Sequence, residues 1–202
     1  MNEPLSLRVT EVFTSLQGEA LTSGLPTTFI RLTGCPLRCA YCDSDYAFRG
    51  GERRSIADLV SASSISGANL VCVTGGEPLA QPNCLSLLTS LCDAGFQVSL
   101  ETSGAFDITD VDPRVSIVLD LKTPGSGESA KNLLYNLELM GEKDQIKPQG
   151  ARQKRPANDM TKAGITSEAT RNTKLMASVL AAASRPKLKG AAGEATVRRQ
   201  AD

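Results

Sequence analysis

The stretch TGCPLRCAYCDSDY, residues 33–46, holds three of the six cysteines of this 202-residue chain. Cys35, Cys39 and Cys42 have the spacing C-x3-C-x2-C and follow a predicted strand at 27–32. Two cysteines suffice for a disulfide and four close a zinc site, whereas three thiolates on a four-iron cluster leave one iron open. The spacing therefore favours an iron–sulfur centre with a free coordination position.

A structural zinc site completed by Cys72 or by a carboxylate is the main alternative. Cys72 lies within an apparent buried strand, and no second cysteine pair follows at zinc-ribbon spacing. The chain contains no histidine, which excludes zinc sites that need imidazole and removes the usual general base. The cysteines outside the motif occupy apolar positions and are predicted to be small core residues: Cys72, Cys84 and Cys92.

The length suits one domain with a tail, and a hydrophobic content of 41% is enough for a core. No apolar run approaches the roughly 18 residues of a membrane span. The N-terminal sequence has neither the basic start nor the apolar region of a secretory signal. We therefore expect a cytoplasmic protein without a membrane partner, in which cysteines are free thiols or metal ligands rather than disulfides.

Short segments rich in β-branched and apolar residues alternate with helical patterns up to residue 147. Strands are predicted at 7–13, 27–32, 69–74, 97–102 and 115–121, with another beginning at 144–147, and helices at 55–65, 82–95 and 129–141. This alternation is typical of an α/β fold with a mostly parallel sheet. Because such sheets bind ligands at the carboxyl ends of their strands, the chemistry is expected in the loops that follow strands.

Residues 148–202 differ in composition from the rest of the chain. They contain 11 Lys and Arg against 4 Asp and Glu, whereas residues 1–147 contain 11 against 18. All eight aromatic residues and all six cysteines lie before Pro148. We expect residues 1–147 to form the domain and 148–202 a basic, disordered tail. Its charges are scattered without aromatic residues, so nucleic acid is not an expected partner.

The cysteine motif, with an aromatic residue before its last cysteine, resembles the signature of radical S-adenosylmethionine (SAM) enzymes. VTGGEP, residues 73–78, resembles the GGE element of that family, which lines the methionine part of the cofactor. A glycine pair after a strand is weak evidence by itself, but it is strong evidence together with the cysteine motif. The resemblance implies a partial (βα) barrel, a [4Fe–4S] cluster and SAM bound to the open iron.

Further segments are similar in order and spacing to 7-carboxy-7-deazaguanine synthase, a radical SAM family of the queuosine pathway. These are SLQGE at 15–19, CDS after the cysteines, VSLETSGA at 98–105 and DLKTPGSGE at 120–128. The resemblance covers about residues 6–147. Enzymes that activate glycyl-radical proteins share the cluster motif, but SLQGE is not expected before it. Another radical SAM enzyme of that activating type stays the alternative.

The resemblance implies roles position by position. Cys35, Cys39 and Cys42 would ligate the cluster, and Ser44 would bind Mg²⁺ through its hydroxyl where the family has threonine. The residues implied to hold the cofactor are Tyr41, Cys42, Asp43, Gly76, Asp120, Leu121 and Lys122. Those implied to hold the substrate are Leu16, Gln17, Gly18, Arg31 and Thr74. Glu101 and Ser103 are further candidates for the cofactor ribose, with a solvated strand end as the alternative for Glu101.

The implied reaction, that of a carbon–nitrogen lyase, contracts the ring of 6-carboxy-5,6,7,8-tetrahydropterin to 7-carboxy-7-deazaguanine. It would start with hydrogen abstraction at C6 and release ammonia, and magnesium would hold the substrate carboxylate. Arg31 suits the same carboxylate, because a guanidinium pairs with it through two hydrogen bonds. The resemblance also implies a homodimer and an electron donor such as flavodoxin or ferredoxin.

The resemblance stops after DQIK, residues 144–147. The family continues with an apolar strand and an aromatic-rich segment, whereas this chain has Pro148, which disfavours a strand, followed by QGARQKRPANDM. We interpret the change as a frameshift or fusion product near residue 148, which leaves the fold truncated or altered on its C-terminal side. The alternative function is then a C-terminally defective, inactive homologue that only binds the cluster.

Overall fold

The computed structural model of the chain describes residues 4–149. Within them lie seven strands, β1 (Ser6–Leu16), β2 (Pro26–Leu32), β3 (Glu52–Ser55), β4 (Leu70–Gly75), β5 (Gln97–Thr102), β6 (Ser116–Lys122) and β7 (Gln145–Gln149). The α-helices of this part are α1 (Ile56–Ser66), α2 (Cys84–Asp93) and the short α3 (Asn136–Leu139). The tail predicted at 148–202 lies outside the described residues apart from 148 and 149, so the domain boundary stays a prediction.

The seven strands form one sheet in the order β3-β1-β2-β4-β5-β6-β7. From β2 to β7 each strand is parallel to its neighbour, while β1 is antiparallel to both β2 and β3. The predicted α/β fold with a mostly parallel sheet is therefore confirmed. β3 was not predicted, because its sequence ERRS has no apolar residues to produce an alternating pattern.

The first two predicted helices are confirmed. At the start of α1, Ser55 Oγ accepts a hydrogen bond from Asp58 N (3.0 Å), and the helix ends at Gly67, which has a φ of 73°. In α2, five side chains at helical spacing are buried: Cys84, Leu87, Leu88, Leu91 and Cys92. No helix among residues 4–149 is long and apolar enough to cross a membrane.

The third predicted helix, at 129–141, is wrong. Instead of one continuous helix, the segment forms a 3-10 turn at Ser129–Lys131 and the separate short helix α3. The amide of Asn132 bonds both backbone groups of Lys122, at 3.0 and 2.8 Å. Asn136 donates to the carbonyl of Phe106 (2.8 Å) and is fully buried. These side chains bond the backbone of neighbouring segments, and this competes with a continuous helix.

The two faces of the sheet differ in polarity. One face packs against α1 and α2 and forms the core, whose largest buried apolar members are Leu7, Ile30, Leu32, Leu59, Val71, Val73, Leu87, Leu88, Leu91 and Leu100. Successive side chains of a strand point to opposite faces. Thr74 follows Val73 and Glu101 follows Leu100, and both of these polar residues line a cavity on the other face.

Pro148 does not interrupt the sheet, contrary to the expectation from the sequence. β7 continues through it to Gln149, and Pro148 pairs in register with Leu121 of β6. β7 is an edge strand, so it needs hydrogen bonds on one side only. Proline is tolerated in edge strands, where a backbone N–H can face away from the neighbouring strand.

The loop of the β1–β2 hairpin reaches β7 at the far edge of the sheet. Leu21 N in this loop donates to Gln145 Oε1 (2.8 Å), and Glu19 forms an ion pair with Lys147. These contacts join the β1–β2 hairpin to β7, which lies four positions from β2 and five from β1 in the sheet order. The sheet is therefore curved around its polar face, as the predicted partial barrel requires.

Replacing Leu88 with alanine is expected to lower the free energy of unfolding by about 2–5 kcal/mol, because a fully buried side chain leaves a cavity. The control Leu21→Ala removes the same atoms from a side chain that is 78% exposed. It is expected to change the free energy by less than about 0.5 kcal/mol. Urea unfolding followed by circular dichroism measures both, and equal effects would contradict this assignment of the core.

Candidate active site

A cavity of about 300 Å³ lies on the polar face of the sheet, at the carboxyl ends of the parallel strands. β2, β4 and β5 contribute Arg31, Thr74 and Glu101, and β6 contributes Asp120 and Lys122. This end of a parallel sheet is where ligands bind in α/β folds. The volume is at the lower end of the range for pockets that bind small organic molecules.

The structure brings most of the predicted site residues together. Those that line the cavity are Gln17, Gly18, Arg31, Cys35, Cys39, Tyr41, Cys42, Asp43, Ser44, Thr74, Gly76, Glu101, Ser103, Asp120 and Lys122. Leu16 and Leu121 do not line it: Leu16 is 63% exposed, and Leu121 is buried. A role for either leucine would have to use its backbone. Convergence on one cavity does not test the individual roles, which stay predictions.

The three cysteines of the motif occupy the loop after β2. Cys35 and Cys39 are half-buried, Cys42 is exposed, and all three are free thiols. Within residues 4–149, no three acidic or cysteine side chains are grouped closely enough to hold one metal ion.

Burial raises the pKa of the Cys35 and Cys39 thiols, and the nearby Lys122 acts in the opposite direction on Cys39. Both thiols must therefore lose a proton when they bind iron. The remaining cysteines are buried, as predicted: Cys72, Cys84 and Cys92.

The glycine pair at the end of β4 lies directly against the cysteine loop. A Cβ atom on Gly75 would lie 2.2 Å from Leu32 O, and one on Gly76 would lie 2.3 Å from Gly34 O and 2.9 Å from Cys35 Cβ. Gly75 also has a φ of 149°, which side chains rarely adopt. Only glycine at both positions allows this close approach, which explains why the GGE element accompanies the cysteine motif.

Glu77, the last residue of the GGE element, was not among the predicted site residues. It is fully buried, and its N–H bonds Gly34 O (2.8 Å) in the cysteine loop. Its carboxylate accepts hydrogen bonds from Leu79 N (3.0 Å), Thr102 Oγ1 (2.9 Å), Ser103 N (2.7 Å) and Ser103 Oγ. Burial raises the pKa of Glu77, and these hydrogen bonds act in the opposite direction. Glu77 thus ties the ends of β4 and β5 to the cysteine loop.

Arg31 is held in position by an ion pair and two aromatic rings. Its Nε donates to Glu11 Oε1 (2.7 Å), and the Tyr46 hydroxyl donates to the same oxygen (2.9 Å). The guanidinium lies 6.0 Å from the ring centre of Phe13 and 5.8 Å from that of Tyr46. The hydrogen bond from Arg31 lowers the pKa of Glu11. Because Nε makes the ion pair, a ligand in the cavity could bond the terminal nitrogens, for which residues 4–149 offer no hydrogen-bond acceptor.

Glu101 and Ser103 have different surroundings. Glu101 is half-buried within β5, and its Oε2 accepts a hydrogen bond from Thr74 Oγ1 (2.8 Å), so it is not a solvated strand end. Ser103 is buried, and its hydroxyl donates to Glu77. Glu101 therefore stays a candidate for contact with a ligand, whereas the Ser103 hydroxyl already has a carboxylate partner.

Asp120 offers an oxygen without a partner. Its Oδ2 pairs with Lys122 Nζ (2.8 Å), while its Oδ1 is buried and makes no hydrogen bond within the described part of the chain. Burial raises the pKa of Asp120, and Lys122 acts against this rise. A buried polar atom without a partner is costly unless a ligand or water satisfies it. Asp120 Oδ1 is therefore an acceptor in the cavity that a donor group of a ligand or a water molecule can satisfy.

Ser44 and Asp43 lie side by side at the rim of the cavity. Ser44 Oγ donates to Asp43 Oδ1 (2.9 Å), so the oxygens of both side chains are adjacent. Hydroxyl and carboxylate oxygens are ligands that Mg²⁺ accepts together with water and substrate groups. The magnesium site at Ser44 stays a prediction.

Two charged cavity residues were missed by the sequence reasoning. Lys147 of β7 and Glu19 of the β1–β2 hairpin loop line the cavity and pair with each other. Glu19 belongs to the SLQGE segment, and this motif could have indicated a place in the site. No sequence motif indicates Lys147, because its closeness to Glu19 depends on the curvature of the sheet.

The residues of this cavity fit an iron–sulfur cluster with an organic cofactor beside it. The donor set has three free thiols on one loop. Gly75 and Gly76 form a surface without side chains next to these thiols, and Asp120 supplies an unpaired acceptor.

Comparison with known proteins agrees with this geometry. Residues 29–115 match the model of the Radical SAM superfamily. The 7-carboxy-7-deazaguanine synthase of Methanospirillum hungatei JF-1 is 44% identical over 134 residues, which are 65% of this chain and 57% of the relative. The synthase of Thermoplasma acidophilum is 36% identical over 141 residues, which are 69% of this chain and 68% of the relative.

The fold is also similar to a solved structure, the crystal structure of QueE from Escherichia coli. The TM-score is 0.52 and the sequence identity 30%, and the match covers 57% of this chain and 59% of that one. For three of the curated relatives, the chain spans between 57% and 63% of their length.

Replacing Glu77 with alanine is expected to lower the free energy of unfolding by about 2–4 kcal/mol, because buried donors of Thr102 and Ser103 lose their acceptor. Glu77→Gln keeps one acceptor oxygen and is expected to lower the free energy of unfolding by less than Glu77→Ala does. Urea unfolding of both variants, with the exposed Glu138→Ala as control, measures the difference. A loss for Glu77→Ala no larger than that of the control would contradict this role.

Proposed function

Because this chain belongs to the 7-carboxy-7-deazaguanine synthase family of the Radical SAM superfamily, whose cofactors are a [4Fe–4S] cluster and SAM, we propose that it catalyses the family's ring contraction. The proposed substrate is 6-carboxy-5,6,7,8-tetrahydropterin, and the products are 7-carboxy-7-deazaguanine and ammonia. The reaction is a proposal for this chain, since it spans only part of the length of several relatives.

The observation that carries the proposal is the meeting of the cysteine loop, the glycine pair and Asp120 at one cavity. Cys35, Cys39 and Cys42 would hold the cluster there. The methionine end of SAM would lie along Gly76, with the backbone of Tyr41–Asp43 and the segment 120–122 around it. Asp120 Oδ1, which has no partner within residues 4–149, supports this placement, because a donor group of a bound ligand would satisfy it.

A second group of residues supports a carboxylated heterocycle as the substrate. Arg31 presents a cation that Glu11 and two rings hold in place, and a carboxylate is the usual partner of such a guanidinium. Gln17, Gly18 and Thr74 line the same cavity and offer polar groups for the ring. Leu16 would contribute through its backbone. Ser44 would hold Mg²⁺ against the substrate carboxylate.

The chain's own residues position the reactants and limit the access of water. When bound, the cluster and SAM would supply the one-electron chemistry that removes a hydrogen atom from the substrate. Arg31 orients the substrate carboxylate, and Phe29 and Phe48 line the cavity with apolar surface. Fixed orientation of this kind is a large part of the rate advantage in enzymes. No histidine is needed for these roles, and the chain contains none.

The proposal includes two protein partners. A low-potential electron donor such as flavodoxin or ferredoxin would reduce the cluster, and a second copy of the chain would form a homodimer. Both follow from the family resemblance described above and stay predictions.

A second candidate is a homologue that binds the cluster but does not turn over the pterin. The change in charge and the loss of aromatic residues after residue 147 favour it. An enzyme that activates a partner protein is the third possibility, and it would cleave SAM without converting the pterin.

Anaerobic reconstitution of the full chain with iron and sulfide separates these candidates. With SAM, Mg²⁺, a strong reductant and 6-carboxytetrahydropterin, the proposed enzyme is expected to form both 5′-deoxyadenosine and the deazaguanine. Cys39→Ala is expected to abolish both products, whereas Cys92→Ala, which changes a cysteine outside the cavity, is expected to keep them. Cluster formation without either product would overturn the proposed reaction in favour of the inactive homologue.

Replacing Arg31 with glutamine is expected to raise the KM for the pterin by at least about tenfold, because a charge-assisted hydrogen bond to a carboxylate is lost. The affinity for SAM is expected to stay unchanged, since Arg31 is assigned to the substrate. Steady-state kinetics measure the KM, and equilibrium dialysis measures SAM binding. Arg53→Gln, on the exposed strand β3, is the control. An unchanged KM would remove Arg31 from the substrate site.

A further inference from the structure

We infer that Arg38 and Glu128 form a clamp that holds the cysteine loop in the conformation that binds the cluster. The Arg38–Glu128 clamp means the Arg38 side chain, the Glu128 carboxylate and their contacts with residues 35–40. Neither residue was assigned a role from the sequence, although both lie inside the motifs CPLRC and DLKTPGSGE. The inference rests on the cluster-binding part of the proposed function and is independent of the substrate.

The Arg38 side chain folds back onto the loop that carries it. Its Nη1 donates to the carbonyls of Cys35 (2.6 Å) and Leu37 (2.7 Å), which lie between the first two cysteines. The guanidinium stacks on Phe48, 4.3 Å from the ring centre. The Arg38 side chain thus fixes the path of the backbone from Cys35 to Cys39 and attaches it to Phe48, which lines the cavity.

Glu128 holds the same loop from the other side. Its Oε1 accepts a hydrogen bond from Arg38 N (2.7 Å), and its own N–H bonds Ser126 Oγ (3.0 Å). Ser126 is fully buried, and its carbonyl accepts from Ala40 N (2.9 Å), next to the second cysteine. The segment after β6 therefore anchors the loop at two consecutive points.

The loop depends on these contacts because it has no regular secondary structure. Residues 33–43 contain neither helix nor strand. A loop without such structure can adopt many conformations in the free protein. Fixing one of them on binding costs conformational entropy, and this cost weakens binding unless the loop is ordered beforehand. The clamp orders it beforehand, and so makes Arg38 a positioning residue for the cluster.

The first test measures the release of iron to a chelator from the reconstituted full chain, without oxygen. Arg38→Gln and Glu128→Ala are expected to release iron about tenfold faster than wild type, because the first removes the guanidinium that bonds two loop carbonyls and the second removes the acceptor of Arg38 N. Glu128→Gln keeps an acceptor oxygen and is expected to stay within about twofold of the wild-type rate. Arg53→Gln is the matched control, since this exposed arginine bonds Ser6 and not the loop. Electron paramagnetic resonance of the reduced samples checks that all variants hold the same type of cluster.

The second test uses the chain before reconstitution, so it does not need a cluster. Amide hydrogen exchange at Ala40 is expected to be at least about fivefold faster in Arg38→Gln and Glu128→Ala, while exchange in β4 stays as in wild type. Wild-type rates of both exchange and iron release in these variants would overturn the clamp. Equal acceleration in β4 would also overturn it, since the effect would then be global.

The two tests separate the clamp from the proposed function. Faster exchange at Ala40 in the variants, combined with failure of the wild-type chain to assemble a cluster, would support the ordering of the loop by Arg38 and Glu128 and reject the cluster part of the proposed function. Faster iron release without any pterin turnover would support the clamp and reject only the proposed reaction.

Discussion

The close contact between the glycine pair of β4 and the cysteine loop is the constraint on which the rest of the site depends. A side chain on Gly75 or Gly76 would collide with backbone atoms of Leu32 and Gly34. The contact brings the end of β4 to the thiols, and Glu77 extends it to β5 by accepting hydrogen bonds from Thr102 and Ser103. A parallel sheet aligns its carboxyl ends in any case, but this contact decides how close the loop lies to them.

The division of the sheet into an apolar and a polar face explains why the cavity is rich in charged groups. The apolar face is covered by α1 and α2, so the alternate residues must point into the curved side. There the polar groups find partners across strands: Thr74 bonds Glu101, and Asp120 pairs with Lys122. Such pairing lowers the cost of burying charges. It also holds each side chain in one orientation, so that its polar atoms are already positioned for a ligand.

Some local patterns predicted the structure well, and others failed for identifiable reasons. The apolar spacing of α2 and its end near Gly95 were sufficient because the helix buries one face along its whole length. The pattern at 129–141 was misleading, because the amides of Asn132 and Asn136 bond the backbone of other segments. The expectation that Pro148 disfavours a strand holds for inner strands, whereas β7 lies at the edge of the sheet, where proline is tolerated. In both failures, the deciding neighbour is distant in sequence.

The α/β class, the five central strands and the family could be predicted from the sequence, and the role of the three cysteines as cluster ligands stays a prediction. These features depend on short-range spacing: alternation within strands, helical periodicity, and the C-x3-C-x2-C and GGE elements. Only the tertiary structure decided the burial of Glu77, the pairing of Arg31 with Glu11, the unpaired oxygen of Asp120 and the contacts of Glu128 with the cysteine loop. Each of these is a contact, or a missing contact, between separate segments. It is set by the register and curvature of the sheet, which no local pattern of residues encodes.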